Sequence, residues 1–231
     1  MQAVGVIVAD GRRHADGNID HSVLIEGISV ASSPLVSRAI EVSRAHMEPY
    51  LFNHVMRSWL FSASLARQRG IRYDEEVLAV SSVLHDIGLC PDFAGPLRFE
   101  VEGANFARDL ATSFGIDSRR CQLIWDSIAL NSTPSLCLHK ETEVSLCCLG
   151  VGLDWGGWGF ESIDAGVRDA ILSRYPRLGM KQKFSQAMCT ICETRGESTY
   201  DNFARDFGVR YVPGYAPSSS VDALMGSPFT E

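Results

Sequence analysis

The stretch Val77-Leu-Ala-Val-Ser-Ser-Val-Leu-His-Asp-Ile-Gly88 decides the fold of this chain. It is mostly apolar up to its last four residues, and the acidic run Asp74-Glu-Glu76 before it suits the N-terminal end of a helix dipole. The stretch therefore predicts a helix that ends on an imidazole and a carboxylate, His85 and Asp86. Neighbouring side chains within a helix point about 100° apart. At a helix end the backbone turns away, and we expect the freedom of Gly88 to let both side chains face one point.

Two further helical stretches supply matching side chains. His54 lies inside Tyr50-Leu-Phe-Asn-His-Val-Met-Arg-Ser-Trp-Leu-Phe61, and Asp154 follows the apolar run from Val144 to Leu153. Zinc and ferrous iron accept both imidazole nitrogen and carboxylate oxygen. Two imidazoles and two carboxylates from three helices can surround one divalent ion. The sequence therefore predicts one metal site with four ligands: His54, His85, Asp86 and Asp154.

The helical pattern begins at Ser32-Ser-Pro34, where a serine cap precedes a proline suited to a first turn. It continues almost throughout, so the predicted fold class is all-α. The main predicted helices cover residues 35–47, 51–68, 73–85, 100–114, 118–131, 141–154, 164–173 and 181–193. Residues 200–208 and 221–225 are expected to add short helical segments. Residues 1–31 differ in pattern, so we predict an irregular N-terminal arm over 1–31 and one domain over 32–231.

Composition limits the classes of function. With 231 residues, 45% of them hydrophobic and 21% charged, the chain is typical of a globular protein. A formal net charge of −7 and the lack of a basic run argue against nucleic acid as a partner. The longest apolar runs are far short of the ~20 residues that span a bilayer, and the apolar N-terminus lacks the basic start of a signal peptide. We expect a cytoplasmic protein without a membrane partner.

The cysteines are expected to be structural. There are seven, an odd number, and most lie in apolar helical surroundings. In a reducing compartment such cysteines are small core residues, and we expect this of Cys121, Cys137, Cys147 and Cys148. The single Cys189-Thr-Ile-Cys192 run has no second pair, so it is a weak signal for zinc or redox chemistry.

Several motifs carry a resemblance to a known family. The main ones are Asn53-His-Val-Met-Arg57, Leu84-His-Asp-Ile-Gly-Leu89 and Arg98-Phe-Glu-Val-Glu-Gly-Ala-Asn105, and the segments 125–130 and 150–154 accompany them. Together they resemble the cyanamide hydratase-like family of the HD superfamily of metal-dependent hydrolases. The similarity runs from residue 34 to near the C-terminus. The ligand order of that superfamily, which is His, His-Asp and Asp, is the order found here.

The resemblance implies an HD-type helical bundle and a hydro-lyase that adds metal-activated water to a small nitrile-like substrate such as cyanamide, giving urea. It implies one divalent ion, with zinc as the first choice and iron as the alternative. Glu100, like Glu102, is then a candidate proton carrier, and Asn131 orients the substrate or water. Arg57 is expected to anchor the carboxylate of Asp86 or of a glutamate. A small molecule is the expected partner, and a homo-oligomer stays open. A small, dry pocket would be walled by Phe99, Trp155 and Trp158.

Two positions bear on the number of metal ions. Dinuclear members of the superfamily carry two further histidines, where this chain has Phe99 and, close to the second, Asn131. Neither side chain is a good ligand for a second ion, so we expect a mononuclear site. Asn131 also replaces a pocket histidine of the closer family. Asparagine donates and accepts hydrogen bonds but does not carry a proton near neutral pH, so the substrate is less well specified than the scaffold.

Two alternatives stay open. An HD phosphohydrolase acting on a nucleotide or a small phosphate ester favours a basic pocket, and only Arg57 and Arg98 lie near the motifs. A non-catalytic, metal-stabilised scaffold would bind the ion without turning over a substrate. The replacement of the family histidine by Asn131 keeps this second alternative open.

Overall fold

The computed structural model describes residues 32–229, and over this range the chain forms α-helices without any β-strand. This confirms the all-α fold class. Short 3₁₀ turns interrupt the connections between the helices. The predicted N-terminal arm, residues 1–31, lies outside the described residues. The α-helices are α1 (Pro34–His46), α2 (Pro49–Gln68), α3 (Glu75–Leu84), α4 (Phe99–Ser113), α5 (Ser118–Ala129), α6 (Pro134–Cys137), α7 (Thr142–Gly156), α8 (Ala165–Arg174), α9 (Met180–Thr194), α10 (Ala204–Tyr211) and α11 (Ser220–Met225).

Helix α3 is the centre of the packing. It contacts α1, α2, α4, α5 and α7, and every residue from Val77 to Leu84 is buried. A helix enclosed on all sides is apolar around its whole circumference, which explains the apolar stretch that ends at His85. The two site residues after α3 are therefore delivered to the interior of the protein.

The N-termini of α1 and α3 are fixed by side-chain caps. Ser33 Oγ accepts a hydrogen bond from Val36 N at 3.2 Å, next to the proline that starts α1. The Asp74 carboxylate accepts one from Val77 N at 3.1 Å. Such caps satisfy N–H groups that have no partner within the helix. The N-terminal starts of α1 and α3 were predictable from sequence for this reason.

Two glycines let helices approach closely. A Cβ on Gly88 would overlap the carbonyl oxygen of Phe99 at the start of α4. A Cβ on Gly150 would overlap Ser62 Oγ and the Ser58 carbonyl oxygen, both on α2. Gly88 does not have a positive φ, so its role is to provide space rather than the backbone freedom expected from sequence. Gly150 brings α7 against α2, and thus Asp154 toward His54.

The cysteine prediction is wrong for one pair. Cys137 and Cys148 form a disulfide with a Cα–Cα distance of 6.4 Å, and their thiols are therefore not reduced core groups. The short helix α6, which sequence analysis missed, packs against α7 and brings the two side chains together. The other five cysteines are free thiols: Cys90, Cys121, Cys147, Cys189 and Cys192.

The chain divides into two compact units. Among the described residues, the first unit holds residues 32–95 and 99–180, and the second holds residues 96–98 and 181–229. Within the second unit the stacked rings of Phe184 and Phe203 have centroids 6.3 Å apart, and the hydroxyl oxygens of Thr199 and Tyr215 lie 2.6 Å apart. The domain boundaries expected from sequence stay a prediction.

Among residues 32–229, the structure contains no helix with the length and apolar character that crossing a membrane requires.

Candidate metal centre

Three of the four predicted ligands meet at one point. The Nε2 atoms of His54 and His85 are 3.2 Å apart. Asp86 Oδ2 lies 3.3 Å from His85 Nε2 and 3.5 Å from His54 Nε2. All three side chains are buried, and together they form a group that could hold a metal ion. We call His54, His85 and Asp86 the His-His-Asp cluster.

Hydrogen bonds at the far sides of the rings fix the imidazole tautomers. His85 Nδ1 lies 2.8 Å from the Ser82 carbonyl oxygen, which can only accept, so Nδ1 carries the proton. His54 Nδ1 lies 2.6 Å from Asp154 Oδ2, a carboxylate oxygen that likewise accepts. Both rings therefore present the Nε2 lone pair to the cluster. This orientation by a carbonyl or carboxylate is the usual one for metal-binding histidines.

The cluster fits a divalent ion in its dimensions and in its chemistry. Asp86 Oδ2 is buried and accepts no hydrogen bond, although it stands beside two nitrogen lone pairs. Three acceptors in contact repel one another unless a cation lies between them. Ligands at ~2.1 Å from a tetrahedral zinc ion are ~3.4 Å apart, close to the three separations observed. The residues present thus fit the ion that the sequence predicts.

The electrostatics of the cluster favour a cation. Burial opposes ionisation of Asp86, but His85 and His54 outweigh it and lower the pKa of the Asp86 carboxyl. Burial also opposes a charge on His85, yet Asp86 raises the pKa of this imidazole. For His54 burial dominates and lowers the pKa. The two imidazoles thereby favour the charged form of the buried Asp86 carboxyl.

Asp154 lies on the other side of the His54 ring. Its Oδ2 is 2.6 Å from His54 Nδ1, and Arg57 binds the carboxylate with two hydrogen bonds, Nε to Oδ1 at 2.7 Å and Nη2 to Oδ2 at 2.8 Å. Arg177 Nη1 donates to Oδ1 at 3.1 Å and to the Asp154 carbonyl at 2.9 Å. Burial opposes the charge, but His54 and Arg57 hold the pKa of the Asp154 carboxyl well below its usual range. The structure thus separates Asp154 from the cluster by the width of one imidazole.

Comparison with known proteins bears on this arrangement. Residues 51–143 match the HD domain family model. The match supports the HD-domain superfamily for this segment, which contains all three residues of the cluster. HD domains typically bind divalent metals and act as metal-dependent hydrolases. No curated protein matches the chain.

The structure places the three predicted catalytic residues in the matched segment as follows. Glu100 is fully buried at the start of α4, and its Oε1 accepts a hydrogen bond from Ser132 Oγ at 2.7 Å. The Asn131 amide is buried and donates to the Ile128 carbonyl oxygen at 2.6 Å. Arg57 binds the carboxylate of Asp154, and not that of Asp86 or a glutamate as expected from sequence. The catalytic roles themselves stay predictions.

The predicted aromatic residues differ in their burial. Phe99 is buried at the start of α4, whereas Trp155 and Trp158 remain 40% and 38% exposed. The Trp158 ring covers Gly152 on α7. Phe99 thus belongs to the interior, and the two tryptophans lie at the surface near the end of α7.

Sequence analysis missed Arg177 and the segment around it. Arg57 Nη1 donates to the carbonyl oxygens of Tyr175 and Pro176 at 2.8 and 3.3 Å, and Asn53 Nδ2 donates to Pro176 at 2.8 Å. The segment 175–179, between α8 and α9, therefore lies against α2. Its sequence, with Pro176 followed by Gly179, indicates a loop but carries no sign of which carboxylate Arg177 binds.

Proposed function

We propose that this protein is a metal-dependent hydratase that adds water to a small nitrile-like substrate such as cyanamide, giving urea. The observation that carries the proposal is the buried His-His-Asp cluster, in which His54 Nε2, His85 Nε2 and Asp86 Oδ2 lie within 3.5 Å of one another. These residues hold one divalent ion, zinc as the first choice and iron as the alternative. When bound, such an ion acts as a Lewis acid and makes water nucleophilic near neutral pH.

The charges beside the cluster favour an uncharged substrate. Arg57 is fully buried, and its guanidinium is taken up by Asp154 and the carbonyls of Tyr175 and Pro176. Arg177 also donates to Asp154. Recognition of a phosphate needs cationic donors that point at the ligand. Since these two guanidiniums already bind a carboxylate, the phosphohydrolase alternative gains no support from them.

Two positions at which dinuclear members of the superfamily carry histidines support a single ion in this protein. Phe99 is buried and offers no ligand atom, and the Asn131 amide nitrogen is engaged by the Ile128 carbonyl. We therefore propose a mononuclear centre, in keeping with one small substrate bound beside one ion.

The chain's own residues have distinct roles in this proposal. Glu100 takes up and returns a proton during the addition of water, held in place by the Ser132 hydroxyl. Asn131 orients the substrate or the attacking water through its amide group. Arg57 keeps Asp154, and through it the His54 ring, in position.

The test is urea formation from cyanamide by the purified full chain, with metal content measured on the same sample. Turnover should disappear in His85→Ala together with bound metal. His46→Ala is the matched control, because His46 is partly exposed and pairs with Asp92 Oδ2 at 2.8 Å, away from the cluster. It should retain both properties.

The same samples separate the alternatives. Hydrolysis of an aryl phosphate without urea formation would favour the phosphohydrolase. About one ion per chain, with neither activity and with a melting temperature that falls on chelation, would favour the scaffold. Absence of bound metal from the wild-type protein would contradict the metal-dependent proposal.

A further inference from the structure

The Asp154 carboxylate has no lone pair left for a metal ion. A carboxylate offers about four acceptor positions, two on each oxygen. Oδ1 accepts from Arg57 Nε and Arg177 Nη1, and Oδ2 accepts from Arg57 Nη2 and His54 Nδ1. Four donors therefore fill four positions. Coordination of an ion by either oxygen would displace one of these hydrogen bonds.

The donors are themselves held in place, so displacement is unfavourable. Arg57 is fully buried, and its remaining N–H groups bind the Tyr175 and Pro176 carbonyls and the sulfur of Met180. Arg177 Nη2 also lies 3.2 Å from Met180 Sδ. A buried guanidinium that lost its carboxylate would leave N–H groups unpaired, which is strongly unfavourable.

We propose that Asp154 is a positioning residue and not a metal ligand. This inference rests on the metal site proposed above. Its carboxylate fixes the Nδ1–H tautomer of His54 and aims the Nε2 lone pair at the cluster. The ion then has three protein ligands: His54, His85 and Asp86. This proposal differs from the four-ligand set expected from sequence, which also included Asp154.

A metal site with three protein ligands leaves open a coordination position that a fourth protein ligand would fill. Catalytic zinc sites typically use three protein ligands and keep the remaining position for water or substrate, whereas four protein ligands are typical of structural sites. With Asp154 bound to His54 instead, one coordination position of the ion is left to water or a small substrate. Arg57 and Arg177 hold Asp154 away from the cluster and thus keep that coordination position unfilled by protein.

The test combines three measurements on the full chain. The first is a crystal structure of the zinc-loaded protein. The second is zinc affinity of the wild type, Asp154→Asn and Asp86→Asn, by competition with a chromophoric chelator. The third is nitrogen NMR of labelled histidine in the metal-free protein, which reports the tautomer of each ring.

We expect both Asp154 oxygens to lie more than ~3 Å from zinc, against ~2.1 Å for a ligand. Asp154→Asn should weaken binding by ~10–100-fold, the range for residues that orient a ligand, and still bind one ion per chain. Asp86→Asn should weaken it much further. The fixed Nδ1–H signal of His54 should be lost in Asp154→Asn and kept in Asp86→Asn.

An Asp154 oxygen at bonding distance from zinc would overturn the inference and leave the proposed function intact. Equal losses of affinity in the two variants would also overturn it. Failure of the wild type to bind zinc or ferrous iron would overturn both the inference on Asp154 and the proposed function. If Asp154→Asn does not fold, the zinc-loaded wild-type structure decides alone.

Discussion

His54 and His85 face each other through Nε2 atoms that are 3.2 Å apart, and each ring already donates from Nδ1 to a fixed acceptor. Asp86 Oδ2, which accepts no hydrogen bond, stands beside these two nitrogens. The folded protein therefore contains a local repulsion that a cation relieves. Metal binding and stability should be coupled for this reason.

Zinc should raise the melting temperature of the metal-free protein. At 100 times the dissociation constant, a ligand adds about 2.7 kcal/mol to the free energy of unfolding. For a chain of this size each kcal/mol raises the melting temperature by about 2–4 °C. Thermal denaturation during a zinc titration measures the shift, and His85→Ala should show none. A shift of the same size in His85→Ala would place the stabilising ion elsewhere.

The ion pair at the start of α3 should make stability sensitive to acid. Arg120 binds both oxygens of Asp74 at 2.7 and 2.8 Å. Burial alone would raise the pKa of the Asp74 carboxyl, but Arg120 outweighs it and lowers the pKa. A lowered pKa stabilises the fold above the unfolded value of ~3.9. That contribution is lost as the pH falls through the folded value.

Asp74→Asn isolates this charge, because asparagine can still cap Val77 N. Urea unfolding at a series of pH values should show a flatter acid dependence for Asp74→Asn than for the wild type. Asp74→Ala also removes the cap and should lose a further ~1 kcal/mol at neutral pH. Parallel pH profiles for the wild type and Asp74→Asn would contradict the prediction.

Arg57 should be the more costly of the two arginines to remove. Arg57→Met leaves the buried Asp154 charge without its bidentate partner, and breaking a buried pair typically costs about 3–5 kcal/mol. Arg177→Met should cost less, since the Arg177 side chain is 34% exposed and its removal leaves Arg57 on the carboxylate. Urea unfolding at neutral pH measures both. A larger loss for Arg177→Met would reverse this assignment.

Local signals explain which parts of the molecule were predictable. The start of α1 follows from Ser33 and Pro34, and the start of α3 from Asp74, because caps act within one turn. The convergence of His54 with His85 and Asp86 followed from the order of motifs on apolar helices. These inferences needed only neighbours in the sequence or a family resemblance.

Other parts depend on contacts that no local pattern contains. Arg177 and Asp154 are 23 residues apart in the sequence, and neither flank indicates the pairing. Helix α6 has four residues, too few for a periodic pattern. Gly88 looked like a flexible hinge, whereas the space it provides becomes apparent only once Phe99 of α4 is placed beside it.

Thiol titration should find five free cysteines and one disulfide. Under denaturing, non-reducing conditions the wild type should react at the five free thiols, and at all seven after reduction. In Cys137→Ser the released Cys148 thiol should also react, so that six thiols are counted both before and after reduction. A count of five before reduction and six after it would mean that Cys148 has formed a mixed disulfide. The bridge closes a short loop, so its loss should cost up to ~3 kcal/mol in urea. Seven reactive thiols without reduction would contradict the disulfide.

Gly150→Ala should weaken both the fold and the metal site. The added methyl would meet the Ser58 carbonyl and Ser62 on α2, so α7 must move away and carry Asp154 from His54. Overpacking of this kind costs about 1–3 kcal/mol, and zinc affinity should fall with it. The matched control on the same helix is Gly152→Ala, whose methyl meets the side chain of the partly exposed Trp158. That ring can shift, so Gly152→Ala should keep its zinc affinity. Equal losses of zinc affinity in the two variants would show that the approach of α7 to α2 does not determine the geometry of the site.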